Sequence, residues 1–240
     1  MGRIFDKLLK STLSVILVFS SLMLVTPMKM MDVQAAETNY EIYPTPHQVT
    51  YATGSFIMRK EINVVYEKGI DQATKTHLET VLKSKDKTVT VGTEKVTGKT
   101  NILVGIKDSG EYVDTYAKGK YTNDLFTDKH FGAYYLSTIN DEVVIIGRDS
   151  DAAFYGITTL KQIFQQVDGT ELRHLTMEDY ADVNIRGFIE GYYGIPWSNQ
   201  DRMELMKFGG DIKMTSYIFA PKNDPYHKVH LLVEKFVLKW

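Results

Sequence analysis

Arg186-Gly187-Phe188-Ile189-Glu190-Gly191-Tyr192-Tyr193-Gly194-Ile195-Pro196-Trp197 is the stretch on which the reading of this chain turns. Residues 184–189 read as a strand, Ser198 as the cap of a helix running to about Phe208, Gly209-Gly210 as its break, and residues 214–220 as a second strand. A single strand-helix-strand unit implies parallel pairing through a right-handed crossover. Just past the first strand, glycines, tyrosines, a tryptophan and one carboxylate crowd together. In parallel α/β barrels that end of a strand is where substrates sit. Glycine lets a ligand approach the backbone, and flat aromatic rings suit the apolar faces of a sugar. A glycine-rich turn held by aromatic packing would produce the same run, so chemistry alone leaves both readings open.

Past the second strand comes Ala220-Pro221-Lys222-Asn223-Asp224-Pro225-Tyr226-His227. A lysine there can donate to sugar hydroxyls as a compact charge, and a solvated surface lysine is the alternative. His227 and His230 form a His-x-x-His spacing, but no third ligand lies near, so no metal site is expected.

Upstream, strands and helices alternate from residue 40 to about 180. Residues 61–66, 87–92 and 101–105 read as strands and residues 71–83 as a helix with Ala73, Leu78, Val81 and Leu82 on one stripe. Residues 133–139 and 142–147 flank Asn140-Asp141, a pair suited to a two-residue hairpin. A helix follows, opening at Ser150 or Asp151 and placing Ala153, Ile157, Leu160 and Phe164 on one face. Residues 110–130 read as a long loop, and Glu178-Asp179 as part of a linker. A domain boundary is expected near Tyr180, after a small α/β sandwich.

The chain opens with Arg3, Lys7 and Lys10 before a weakly polar to apolar run over residues 13–25, and Val33-Gln34-Ala35 supplies small side chains for cleavage. This is the order of a secretory signal, removed after Ala35 or Ala36, and the run is shorter than the roughly 20 residues a membrane span needs. There is no cysteine in the 240 residues, which excludes a disulfide framework, a thiolate metal site and a lipid-modified cysteine anchor. Of 28 basic and 30 acidic residues, the leader holds four and two, leaving a net charge of minus four. That mixed surface gives no electrostatic footprint for nucleic acid.

The segments 186–197 and 217–222 together resemble the first two strand ends of the family 84 glycoside hydrolases. These are the β-N-acetylglucosaminidases that include bacterial O-GlcNAcase-like enzymes and secreted clostridial hyaluronidases. Tyr43-Pro44-Thr45-Pro46 and Ala153-Phe154-Tyr155-Gly156 resemble the hexosaminidase-type N-terminal α/β domain, so the likeness covers roughly residues 40–227. It implies a signal peptide over 1–36, that α/β domain over 37–180, the start of a (β/α)8 barrel over 181–227, and a divergent tail over 228–240. By the same resemblance Gly191 and Lys222 line an N-acetylglucosamine pocket and Tyr193 matches a pocket tyrosine. The partners implied are N-acetylglucosamine-containing glycans or glycoproteins, outside the cell, with no metal, cofactor or membrane anchor.

The family works by substrate-assisted retention. The sugar's acetamido oxygen attacks the anomeric carbon, one carboxylate orients that amide, and its neighbour serves as general acid and base, a departure from the two-carboxylate retaining scheme. Those two groups form an adjacent Asp-Asp pair, and this sequence contains none. Neither Glu178-Asp179 nor Glu190 offers the arrangement, so no catalytic residue is assigned. A barrel of this type takes ~250 residues, against about sixty after Tyr180, so the end reads as truncated or frame-shifted and the chain as inactive. A non-catalytic carbohydrate-binding module and a related hexosaminidase family are the competing expectations.

Overall fold

The structure, a computed structural model, describes residues 39–190 and 197–218. The leader expected over 1–36, the tail expected over 228–240 and the two histidines His227 and His230 lie outside the described residues.

The elements in chain order are β1 (Gln48–Ile57), β2 (Glu61–Tyr66), α1 (Gln72–Lys83), β3 (Thr88–Gly92), β4 (Thr100–Ile106), α2 (Tyr112–Ala117), β5 (Phe131–Ile139), β6 (Glu142–Gly147), α3 (Ser150–Gln166), β7 (Glu171–Ala181), β8 (Gly187–Ile189), α4 (Asn199–Asp211) and β9 (Ser216–Ile218). The first seven strands form one mixed sheet in the order β1-β7-β5-β6-β4-β2-β3. Pairing is parallel for β3, β2, β4 and β6, then antiparallel from β6 through β5 and β7 to β1. This is the α/β architecture expected from sequence.

Strand alternation divides the central residues between two cores. Ile62 and Val64, Ile102 and Val104, Tyr134 and Leu136, and Val143 and Ile145 face one side, where α1 and α3 bring Leu78, Leu82, Ile157, Leu160 and Phe164. Their neighbours Val65, Leu103, Ala133, Tyr135, Val144 and Ile146 face the other. Such runs are apolar throughout because both faces of the strand are covered. Asn140 and Asp141 turn the β5-β6 hairpin with φ of 54° and 64°, the left-handed pair that a two-residue turn needs. Gly156 lets α3 approach the sheet, since a Cβ there would sit 2.6 Å from Ile145 Cγ2.

Several expectations are corrected. The cap of α3 is Asp149, whose carboxylate accepts from Ala152 N; Ser150 is taken up elsewhere, its Oγ accepting from Asp71 N at 3.0 Å. Residues 110–130 are not a plain loop, because α2 and Leu125 roof the second core with Val113 and Ala117. The start of α2 is capped from another element. Buried Glu67, at the end of β2, accepts from Asp114 N and Ile106 N at 2.6 Å each and from Ser109 Oγ. Strands β1 and β7 pair with each other, and neither was anticipated. Glu178 and Asp179 therefore belong to a strand and not a linker. Finally, α4 continues through Gly209 and Gly210, both buried, because packing at that end outweighs the ~1 kcal/mol that glycine costs a helix.

Candidate functional site

Strands β8 and β9 pair in parallel, Gly187 opposite Ser216, Phe188 opposite Tyr217 and Ile189 opposite Ile218. Gly187 is required there because a Cβ would collide with the Ser216 carbonyl. Between the strands, α4 begins on Ser198, whose side chain accepts from Asp201 N while Asp201 accepts from Ser198 N at 3.0 Å, a reciprocal capping box. The Ser198 hydrogen bonds lower the Asp201 pKa.

At the carboxyl end of this unit Glu190 is buried in a closed cluster. Arg202 on the first turns of α4 grips it bidentately, Nη2 to Oε1 and Nε to Oε2 at 2.7 Å each, and the Tyr217 hydroxyl of β9 donates to Oε2. Trp197 adds a backbone N–H. These bonds, the Arg202 fork foremost, hold the Glu190 carboxyl below its ordinary range. The Arg202 pKa rises in return, and burial with the neighbouring carboxylate pushes the Tyr217 phenol up to about 12. The same bonds occupy both carboxylate oxygens with protein donors.

At the opposite end of β8 and β9 lies a second buried cluster. Lys213 Nζ donates to Asp179 Oδ2 at 2.9 Å and to the Tyr134 hydroxyl at 2.8 Å, and Tyr134 donates to the same Asp179 oxygen at 2.9 Å. The other Asp179 oxygen faces His47 Nδ1 at 3.3 Å. Lys213 holds a left-handed φ of 61°. Burial lowers its pKa, against the opposing pull of Asp179, and burial pushes Tyr134 well above the ordinary phenol value. Beside this cluster a cavity of about 380 Å³ is lined by Pro44, His47, Tyr155, Tyr180, Arg186 and Lys213, among others. His47 and His130 stack on Tyr180 with ring centroids 3.7 and 3.5 Å away, so the phenol is sandwiched between two imidazoles.

The site residues expected from sequence, Gly191, Tyr193 and Lys222, lie outside the described residues; Gly191 follows Glu190 directly. Glu178 and Asp179 are neighbours on β7, so their side chains leave opposite faces of the sheet and cannot act on one atom. Glu178 instead accepts from Thr122 N at 2.7 Å. Sequence reasoning missed the partners of both clusters. For Glu190 a signal existed, since a carboxylate at the end of an apolar strand, followed by an arginine in the first turn of the next helix, points to a charge pair. No local signal pairs Lys213 with Asp179, because they meet only through the tertiary fold.

A mixed sheet covered by helices is joined to a parallel strand-helix-strand unit, an α/β architecture. Residues 39–180 match the family described as glycosyl hydrolase family 20, domain 2, and residues 186–231 match the β-N-acetylglucosaminidase family. Among solved structures the chain is similar to CpGH84D, with 47% identity and a TM-score of 0.75 over 79% of this chain and 32% of that one. CpGH84B follows at 26% identity and a TM-score of 0.65, over 79% and 31%. The β-N-acetylhexosaminidase of Bacteroides fragilis NCTC 9343 shares the fold at 16% identity and a TM-score of 0.54, over 73% and 32%. The chain belongs to the family 84-like hexosaminidases, its first module being of the family 20 domain 2 kind. It spans about a third of the length of these solved structures.

Proposed function

We propose that this chain carries the opening part of a secreted β-N-acetylglucosaminidase acting on terminal β-linked N-acetylglucosamine of glycans or glycoproteins. The observation that carries the reading is the parallel β8-β9 pair within residues 186–231, the segment that matches the β-N-acetylglucosaminidase family. Its strands lead directly into the segments holding Gly191, Tyr193 and Lys222, the residues proposed to meet the sugar. In this reading residues 1–36 are a leader cleaved after Ala35 or Ala36, 37–180 form the N-terminal domain, 181–227 begin a (β/α)8 barrel, and 228–240 are a tail.

Chemistry by these 240 residues alone is not part of the proposal. The acetamido oxygen is a poor nucleophile unless a carboxylate orients it, and the leaving oxygen needs a positioned acid worth ~100- to 10,000-fold in rate. The sequence has no Asp-Asp pair, and Glu190 and Asp179 are committed to buried ion pairs. That commitment favours a second reading for the isolated chain, glycan binding without turnover. Contacts equal in ground and transition states do not raise the chemical rate.

The test is an assay of the mature chain with an aryl β-N-acetylglucosaminide, beside a Lys222→Ala variant, with mass spectrometry of the exported product. No turnover above buffer is expected, with an amino terminus at residue 36 or 37. Turnover that falls in the variant would overturn the inactive reading, and a mature product retaining residues 1–34 would overturn the leader.

A further inference from the structure

Where the chain passes from the sheet to the β8-α4-β9 unit, one imidazole stands between two carboxylates. Gln48 pairs with Glu178 across β1 and β7, which brings His47, the residue before β1, beside Asp179. The backbone N–H of His47 donates to Asp179 Oδ1 at 3.4 Å, and Nδ1 of its ring lies 3.3 Å from the same oxygen. On the other edge of the ring, Nε2 lies 3.6 Å from Oδ2 of Asp182, the first residue after β7. Asp179 is buried, whereas the Asp182 side chain is 80% exposed. Stacking on Tyr180 at 3.7 Å holds the imidazole in its plane, and His130 stacks on the same phenol at 3.5 Å.

A neutral imidazole carries one N–H, an imidazolium two. Only the cation can donate toward both carboxylates, and the neutral ring must turn a lone pair to one of them. The charges around the ring have the sign that suits the cation. Asp179 and Asp182 face it directly, Arg186 and Lys213 line the cavity on one side, and Glu178 and Asp124 line a cleft with His47 and His130 on the other. Four carboxylates thus stand against two cations. Lys213 is spent on Asp179 and Tyr134, and the Arg186 guanidinium on the carbonyls of Val183 and Lys213. The phenols of Tyr134 and Tyr155, raised by burial, add no charge at neutral or mildly acid pH.

We infer that His47 is a protonation-dependent clasp: charged, it ties the start of β1 both to Asp179 in the sheet and to Asp182 in the connection that leads to β8, and neutral, it lets one of them go. Mild acid therefore tightens the attachment of the β8-α4-β9 unit, in the range where histidines change charge, and the tightening fades as pH rises through that range. The connection, residues 182–186, is the strip of chain on which this acts, since Arg186 fastens its far end to Lys213 O while Asp182 at its near end has the imidazole as its partner. With Asp182 in solvent, the effect is of the size of a partly exposed ion pair and not of a buried one.

The test follows amide exchange of residues 182–189 and 199–211 in the full chain by mass spectrometry at about pH 5.5 and pH 7.5, each rate divided by its intrinsic chemical rate. His47→Gln keeps a side-chain donor for one carboxylate but cannot change charge. Asp182→Asn keeps shape and removes the charge of the second partner. The protection of the parent relative to His47→Gln should be about threefold greater at the lower pH than at the higher, the scale of one partly exposed ion pair. Asp182→Asn should lose most of that difference. His77 is present in every chain, so its own response to acid cancels in the ratio. A side chain that only packs would lower protection equally at both pH values. A parent-to-variant ratio that is the same at both, or an Asp182→Asn chain that keeps the parental pH response, would overturn the clasp. If His47→Gln fails to fold, Asp182→Asn, altered at an exposed side chain, becomes the reference and the same ratio decides.

Discussion

The seven-stranded sheet and the β8-α4-β9 unit solve the problem of burial in opposite ways. In the sheet, both faces of the central strands are covered, and residues such as Leu136, Ile145, Leu103 and Leu160 are fully enclosed. In the smaller unit Ile189 is 73% exposed, Phe208 55% and Met203 53%, and the buried residues of α4 are two glycines. The unit is attached to the sheet through polar joints instead. Lys213 enters the Asp179-Tyr134 cluster, Asp211 pairs with Lys161 of α3, and Gln162 donates to the Asp211 carbonyl at 2.8 Å. A region with its own apolar core can rely on the hydrophobic effect. One that leaves apolar side chains exposed must be located by directional contacts.

The largest expected effect is at the joint. Asp179→Ala strands the Lys213 ammonium in the interior, and removing one partner of a buried pair costs ~3 to 5 kcal/mol. Urea denaturation should report that loss, and Asp179→Ala with Lys213→Met should recover a good part of it. If the single variant behaves like a surface change, the joint is not what holds the two regions together. Next in size is a direct comparison of the cores. Leu136→Ala should cost ~2 to 5 kcal/mol, whereas Ile189→Ala should stay within about 0.5 kcal/mol. Equal losses in the two would erase the distinction drawn above.

Acid should weaken the sheet region through His77 of α1, which stacks on Phe154 at 4.3 Å and meets Thr158 Oγ1 at 3.2 Å. Burial first, then the Lys161 charge, lowers its pKa to about 4, with Asp211 opposing. Between the unfolded value of about 6.5 and this folded value the unfolded chain takes up a proton that the native state refuses. Stability from this group is therefore present above pH ~6.5 and is lost as pH falls toward 4, to the extent of ~3 kcal/mol. Comparing urea midpoints at pH 7 and pH 5 for the parent and His77→Gln checks this, the variant showing the shallower acid slope. The smallest effect sharpens the contrast most finely. Asp149→Ala and Ser198→Ala each delete a helix cap worth ~1 kcal/mol. The first should lower the main unfolding midpoint because α3 is built into the core. The second should register only as faster amide exchange in the first turn of α4. A midpoint shift of equal size in both would place α4 in the cooperative core.

Where local pattern and tertiary placement agree, the chain was legible. Residues 61–66 and 142–147 are apolar because they are sandwiched, and Asn140-Asp141 turns as such pairs turn, so these elements follow from sequence. Strand β7 was not, because Glu171, His174, Thr176 and Glu178 give it a polar surface and its partners β1 and β5 are distant in sequence. The short α2 hid in a polar stretch, showing only Val113 and Ala117 on its buried side. At the candidate site the charged residue Glu190 could be singled out from its surroundings, but its role depends on Arg202 and Tyr217, which only the pairing of β8 with β9 brings to it. The Asp179-Lys213 pair spans 34 residues and carries no periodicity at all.

The stack of His47, Tyr180 and His130 has a use in solution. Protons held over the face of a phenol ring are shielded by its circulating electrons, so carbon-bound imidazole protons of His47 and His130 should resonate upfield of those on freely tumbling histidines. His47 also touches Asp179, the residue to which Lys213 is tied. Loosening of the β8-α4-β9 unit should therefore move the His47 signal first, while His130, whose Nδ1 lies 2.8 Å from Leu125 O in the second core, keeps its shift until the sheet itself opens. Two resonances in a one-dimensional proton spectrum would then separate detachment of one region from unfolding of the other, without any label.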